Sequence, residues 1–335
     1  MSTIHPSLDA TQQPKIAMPI GLRLEDEINR LRKDRNAVIL AHYYQDSEIQ
    51  DIADFIGDSL DLSRKAAATD ADVIVFCGVR FMAEVAKILS PQKTVVLPDM
   101  KAGCSLEDSC QPADFKAFRE ANPDHIALTY INCSAEVKAL SDIIVTSSNA
   151  EAIIRKIPEN QPIIFGPDQH LGRYLAQKTG RDMLLWPGAC MVHVRFSAEQ
   201  LVKLRTRYSD ALVIAHPECP EDVLAHADHI GSTSSLIQYV KSSPAQRFIV
   251  ATEPGILHQM QRAAPDKWFT TAPGADGNCN CHACPYMKLN TMEKVYSALN
   301  TLEPQIHMDE TLRLGALKPL EKMLALSPLA AASKA

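Results

Sequence analysis

The sequence predicts an α/β protein of three homologous small parallel-sheet α/β domains, arranged with pseudo-threefold symmetry about a central site. Three observations lead there. The segments opening at His42, Tyr130 and His216 align without a gap, as His42-x-Tyr44, Tyr130-x-Asn132 and His216-x-Glu218, and twelve residues after each opening comes Asp54, Asp142 or Asp228. Two residues further on, Ile56, Ile144 and Ile230 begin Ile-Gly-Asp-Ser, Ile-Val-Thr-Ser and Ile-Gly-Ser-Thr. The copies are 88 and 86 residues apart, too long for a solenoid unit and the right length for a small domain. Second, apolar runs alternate with amphipathic ones in every copy, which is the pattern of a parallel sheet. Third, Cys104, Cys190 and Cys284 each follow the last strand of a copy. Three equivalent cysteines can meet at a pseudo-threefold axis, the geometry for a metal cluster with three protein ligands.

Residues 1–20 carry Pro6, Pro14 and Pro19 among Ser, Thr and Gln and read as a disordered leader. The first copy spans 21–110. It begins with an amphipathic helix, Leu24 to Lys33, and a buried strand, Ala37 to Ala41, and continues with strands at Val73 to Cys77 and Thr94 to Leu97. The second copy, 111–196, places its later strands at Ile163 to Phe165 and Met183 to Trp186, and the third, 197–290, at Phe248 to Ala251 and Trp268 to Thr270. Residues 291–335 close the chain with helices packing back on the fold, Thr311 to Leu326 among them, and a small-residue tail. Open parallel sheets bind ligands beyond the carboxyl ends of their strands. His42, Tyr130 and His216 stand at such ends, and the Ser/Thr turns that follow stand at helix N-termini.

Composition narrows the function classes. Of 335 residues, 46% are hydrophobic and 22% charged, ordinary for a globular enzyme, and 34 basic against 40 acidic residues leave a net charge of −6. That balance, with 6% aromatics, offers nucleic acid neither a basic track nor a stacking surface. No run approaches the roughly 18 apolar residues of a membrane span, and Met1 to Pro19 lacks the order of a signal peptide, so a cytoplasmic protein without membrane or nucleic-acid partners is expected. Nine cysteines form a poor disulfide framework and suit free thiols or metal ligands in a reducing compartment.

Thiolates select zinc and iron-sulfur clusters. The segment Cys279-Asn-Cys281-His282-Ala-Cys284 has the makings of a small zinc knuckle, whereas three ligands on a cubane leave one iron open as a Lewis acid. No Cys-x3-Cys-x2-Cys triplet is present, so non-redox chemistry is the simpler expectation. Cys77, Cys133 and Cys219 read as structural, Cys110 competes with Cys104 as the ligand of its loop, and Cys279 and Cys281 lie close enough to Cys284 to exchange under oxidation. His42, Tyr44, Tyr130, Asn132, His216 and Glu218 form a ring of first turns that supplies acid/base pairs. Ser59, Ser147 with Ser148, and Ser232 with Thr233 form a second ring, which most simply caps helices and also suits phosphate or carboxylate.

The chain resembles the quinolinate synthase family, the A protein of bacterial de novo NAD synthesis, from about Leu22 to Leu326. The resemblance rests on Ala41-His42-Tyr43-Tyr44-Gln45, on Asp51 through Ser59, on Phe81-Met82-Ala83-Glu84, and on Val145-Thr146-Ser147-Ser148. It continues in Gly188-Ala189-Cys190-x-Val192-His193, His216-Pro217-Glu218 and Gly231-Ser232-Thr233-Ser234. It implies three homologous domains around one [4Fe-4S] cluster per subunit, with Cys104, Cys190 and Cys284 as ligands. It also implies a transferase that condenses iminoaspartate with dihydroxyacetone phosphate, losing phosphate and two waters. His42, Tyr44, Glu218 and His216 are then acid/base residues. Tyr130 and Asn132 contact the dicarboxylate and the intermediate, and Ser59, Ser147, Ser232 and Thr233 hold phosphate or carboxylates. Hand-off of iminoaspartate from L-aspartate oxidase and loading by the iron-sulfur assembly machinery follow from the same resemblance. Some members carry Cys-x2-Cys-x2-Cys where this chain has Cys-x-Cys-x2-Cys; the last cysteine still aligns as ligand, and whether Cys279 and Cys281 form a regulatory disulfide stays open. Two other readings remain: a threefold-symmetric iron-sulfur enzyme with redox chemistry, and a cysteine-held zinc scaffold.

Overall fold

The computed structural model describes residues 23–275 and 282–327. The leader and the residues Cys279 and Cys281 lie outside the described residues.

Three four-stranded sheets, all parallel, carry the chain. The first holds β1 (Ala37–His42), β2 (Phe55–Gly57), β3 (Val73–Cys77) and β4 (Thr94–Val96) in the order β2-β1-β3-β4. The second holds β5 (Ile126–Tyr130), β6 (Ile143–Val145), β7 (Ile163–Gly166) and β8 (Met183–Leu185) in the order β6-β5-β7-β8. The third holds β9 (Leu212–Ala215), β10 (His229–Ile230), β11 (Arg247–Ala251) and β12 (Trp268–Thr271) in the order β10-β9-β11-β12. One strand order used three times is what three homologous domains require. The central strands are apolar on both faces because helices cover both; every residue of β3 is buried.

The sequence pattern foresees three strands per copy; there are four. The extra one is the segment read as a turn, where Ile56, Ile144 and Ile230 enter short strands of two or three residues. Runs that short carry no period of their own, and their pairing with β1, β5 and β9 is a tertiary contact.

The repeated aspartate has a structural duty. The Oδ2 of Asp54, Asp142 and Asp228 accepts the N–H of Ile39, Ala127 and Val213 in the first strand of its sheet, at 2.8, 2.8 and 2.7 Å. Each carboxylate also takes a guanidinium from the preceding helix, Arg32, Arg119 and Arg205, at 2.8, 2.7 and 2.9 Å. The same arginines donate to the carbonyls of Ile52, Leu140 and His226. Each clamp thus fixes the loop between the first two strands to the helix before them. That loop begins at His42, Tyr130 or His216, so the clamps hold the chemistry-bearing turns in place.

The sheets of copies one and two share one continuous core, from Leu40 and Phe76 to Leu128 and Phe165. The third sheet has separate clusters on its two faces. It meets copy one through Tyr43 and Tyr44, which pack against one of these clusters, and through polar contacts: the Gln50 amide donates to Gly255 O at 2.9 Å, and Asp51 takes His258 and Arg262, each at 2.7 Å. The helix Glu310–Leu326 packs on the helix Ala135–Ala139 and on β6 of copy two. No helix of the described residues is long and apolar enough to cross a membrane.

Candidate active site and metal centre

The carboxyl ends of the three sheets converge on one cavity. Its lining includes His42, Tyr44 and Ser59 from copy one, Tyr130, Asn132 and Ser147 from copy two, and His216, Glu218 and Thr233 from copy three. Cys104, Cys190 and Cys284 line the same cavity, all partly buried. Cys110 does not; it is buried against Phe115 and Cys133 in a separate apolar cluster. Ser232 and Ser148 do not line the cavity either and border a neighbouring one on the outer side.

Capping divides differently from the sequence expectation. Ser232 does cap, its hydroxyl accepting the N–H of Ser235 at 3.3 Å. Ser59 is instead the first residue of its helix, and the cap is Asp58, whose Oδ1 accepts from Leu60 and Asp61, each at 3.0 Å. Ser147 precedes Asn149, the residue at the helix boundary, and its hydroxyl meets His216 Nε2 at 3.3 Å. With Asp58 Oδ1 taking the capping bonds, the Ser59 hydroxyl is not used as a cap and lines the cavity.

His42 and His216 are set in the same way. The main-chain N–H two residues on, at Tyr44 and Glu218, donates to Nδ1 at 3.2 and 3.4 Å. An Nδ1 that accepts carries no proton, so each neutral ring holds its proton on Nε2. Burial pushes both imidazoles down, His42 to about 4 and His216 to about 3, so both are neutral donors near neutral pH.

A hydrogen-bonded path crosses the cavity wall. The Tyr44 hydroxyl lies 2.7 Å from Thr252 Oγ1, which lies 2.9 Å from His193 Nε2. His193 Nδ1 is 2.9 Å from Glu218 Oε2, and Glu218 Oε1 accepts the Tyr130 hydroxyl at 2.6 Å. Burial by itself raises the Glu218 carboxyl, but His193, His216 and the hydrogen bonds from His193 and Tyr130 outweigh it and hold the group well below the usual carboxylate range. Burial and the Glu218 charge push both phenols well above theirs. The path therefore rests with one buried carboxylate and two protonated tyrosines. His193 was visible in the sequence only as the end of the Cys190 motif. Thr252 stands just past β11, at the carboxyl end of a later strand of its copy rather than of a first one.

The cysteines form a donor set that asks for a cation. Burial raises all three thiols, and the charge of Cys104 opposes those of Cys190 and Cys284, so the thiolates form together only against a shared positive centre. The residues fit an iron-sulfur core in number and donor type. Cys190, His193 and Glu218 also bring one ligand atom each within 4.8 Å of one another and could hold a metal ion. Asn132 Oδ1 and Thr146 Oγ1 are buried on the cavity lining without a hydrogen-bond partner, which favours a polar occupant.

Comparison with known proteins decides the family. A family model described as Quinolinate synthetase A protein matches residues 26–325. The chain belongs to that family. The quinolinate synthase of Nostoc sp. is 58% identical over 320 residues, 95% of this chain and 98% of that protein. The quinolinate synthase of Cyanophora paradoxa is 57% identical over 305 residues, 91% of this chain and 92% of that protein. At this similarity the chain is an enzyme of the quinolinate synthetase A family, with the α/β architecture described above.

Proposed function

We propose that the enzyme makes quinolinate from iminoaspartate and dihydroxyacetone phosphate, releasing phosphate and two waters. The observation that carries this reading is the Tyr44–Thr252–His193–Glu218 path opening on the cavity that the three cysteines line. Closing a pyridine ring by dehydration needs a base for a carbon-bound proton and an acid for a departing hydroxyl. Tyr44 serves both ways: its proton passes to Thr252 as the Thr252 proton passes to His193 Nε2, and the imidazolium so formed is stabilised by Glu218. The return transfer lets Tyr44 protonate a leaving oxygen. Tyr130 is held by the same carboxylate and orients a substrate oxygen, and the Nε2–H groups of His42 and His216 donate to carboxylate or carbonyl oxygens. Asn132, Ser59, Ser147 and Thr233 line the cavity within reach of the substrate's anionic groups. Ser232, as a cap, acts by holding Thr233 in place.

Cys104, Cys190 and Cys284 are the ligands of a [4Fe-4S] cluster, one per chain in this reading. A cluster with three protein ligands supplies a Lewis acid at its fourth iron, suited to a hydroxyl that leaves as water. The enzyme works in the cytoplasm, takes iminoaspartate from L-aspartate oxidase and is loaded by the iron-sulfur assembly machinery. The reading is tested by anaerobic reconstitution with iron, sulfide and quinolinate assays. About four irons and four sulfides per chain are expected, with activity lost in Cys190→Ala. Quinolinate formation by Cys190→Ala without a cluster would refute it. The Cys190, His193 and Glu218 grouping favours one other reading, a mononuclear site, which one zinc and no sulfide per chain would support.

A further inference from the structure

Glu253 follows Thr252 past the end of β11 and is completely buried, yet it takes no part in the proton path. Its Oε1 accepts the N–H of Cys284 at 3.2 Å and its Oε2 accepts the N–H of Gly255 at 2.6 Å. Lys288 lies one turn past Cys284, its own N–H donating to the Cys284 carbonyl at 3.2 Å. The Lys288 Nζ stands 3.5 Å from Glu253 Oε1, 2.9 Å from Asp46 Oδ1 and 2.9 Å from the Tyr44 carbonyl. One node thus joins the end of β11, the Cys284 loop and the copy-one loop that carries Tyr44. A buried carboxylate is costly unless it is paired and hydrogen-bonded, and here it has two main-chain N–H donors and a cation.

The Cys190 loop has an anchor of the same kind: Asp168, fully buried just past β7, accepts a hydrogen bond from the Cys190 main chain, and the loop is also joined to that of Cys104. The Met191 N–H, next to Cys190, donates to the Ser105 hydroxyl, next to Cys104, at 3.0 Å. Cys284 comes from the third copy, yet its loop packs through Tyr286 and Met287 against the core shared by the first two, and Glu253 ties that loop back to the end of β11 in its own sheet.

We propose that Glu253, backed by Lys288, is a positioning residue that anchors the Cys284 main chain, keeping its sulfur on the metal centre and linking that centre to the Tyr44 loop. The proposal rests on the reading of the three cysteines as cluster ligands, and the experiment separates the two. Wild type, Glu253→Ala, Glu253→Gln and Lys288→Met are reconstituted anaerobically. Iron and sulfide are counted, and loss of the visible cluster absorption to excess chelator is timed beside the thermal midpoint of each metal-free chain.

Glu253→Ala is expected to lose its cluster about tenfold faster than wild type, the scale on which outer-shell partners act. Glu253→Gln, whose amide oxygen can still accept from Cys284, is expected to fall between the two. Lys288→Met is expected to lose the cluster several-fold faster with little change in its metal-free midpoint. If Glu253→Ala does not fold, the other two variants decide. Wild-type loss rates in folded Glu253→Gln and Lys288→Met overturn the proposal alone. A wild-type chain that takes up no iron and sulfide overturns the cluster reading, and the proposal with it.

Discussion

Replacing Thr252 with valine tests the proton path at its narrowest point. Valine keeps the shape and deletes the one oxygen that joins Tyr44 to His193. Thr252 is completely buried and does not line the cavity, so substrate contacts stay intact. The change orphans two buried groups, the Tyr44 hydroxyl and His193 Nε2, at about 1–3 kcal/mol each, and stability should fall by about 2–6 kcal/mol. A proton relay of this kind contributes about 10²–10⁴ in rate, so kcat should drop at least about 100-fold while KM moves less than about threefold. The assay is steady-state quinolinate formation by anaerobically reconstituted protein matched for iron. Thr252→Ser restores the hydroxyl and should recover most of kcat. Wild-type kcat in Thr252→Val at equal iron content, or equal loss in the serine variant, would refute the path.

Two further outcomes follow from the geometry. A Cβ on Gly188 would lie 2.4 Å from the Pro167 carbonyl oxygen and 2.4 Å from Ser109 Oγ, so Gly188→Ala must displace the loop that carries Cys190. It should cost about 1–3 kcal/mol, read as a lower thermal midpoint, and reduce iron bound after reconstitution. Glu84 is a pH-sensitive group away from the cavity: burial, only partly opposed by Lys138 and Arg80, raises its carboxyl from 4.5 to about 7. Because the folded value is the higher one, its contribution is fully present below about pH 4.5 and is lost as pH rises through about 7. Glu84→Gln keeps an acceptor for the Ala135 N–H and should gain on wild type as pH climbs across that window, by up to about 3 kcal/mol. Thermal midpoints at pH 5 and pH 8 check this, and an equal difference at both would contradict it.

The strands legible in the sequence were those with apolar runs long enough to carry a pattern, such as β1, β3 and β11. The short strands at Phe55–Gly57, Ile143–Val145 and His229–Ile230 were hidden because two or three residues have no period. Asp54, Asp142 and Asp228 stood out as a repeated column without a stated duty, since their partners Arg32, Arg119 and Arg205 lie about twenty residues back and meet them only when helix and strand pack. Among the residues of the site, those in repeated first turns stand out in the sequence, whereas Thr252, Glu253 and His193 lie outside those repeated turns.

By itself the sequence determined the threefold plan, because side-chain periodicity and column spacing are local properties that survive without coordinates. It also placed His42, Tyr130 and His216 at strand ends, since strand direction in a parallel sheet is set by the order of elements. Tertiary structure alone decided which atoms touch. Tyr44 reaches Thr252 across 208 residues, Tyr130 reaches Glu218 across 88, and Cys110 turns into an apolar cluster while Cys104 faces the cavity. Hydrogen bonds act over about 3 Å, and no spacing along the chain encodes that precision between different copies. The three copies therefore share a frame, and the unlike side chains at their strand ends make one asymmetric site.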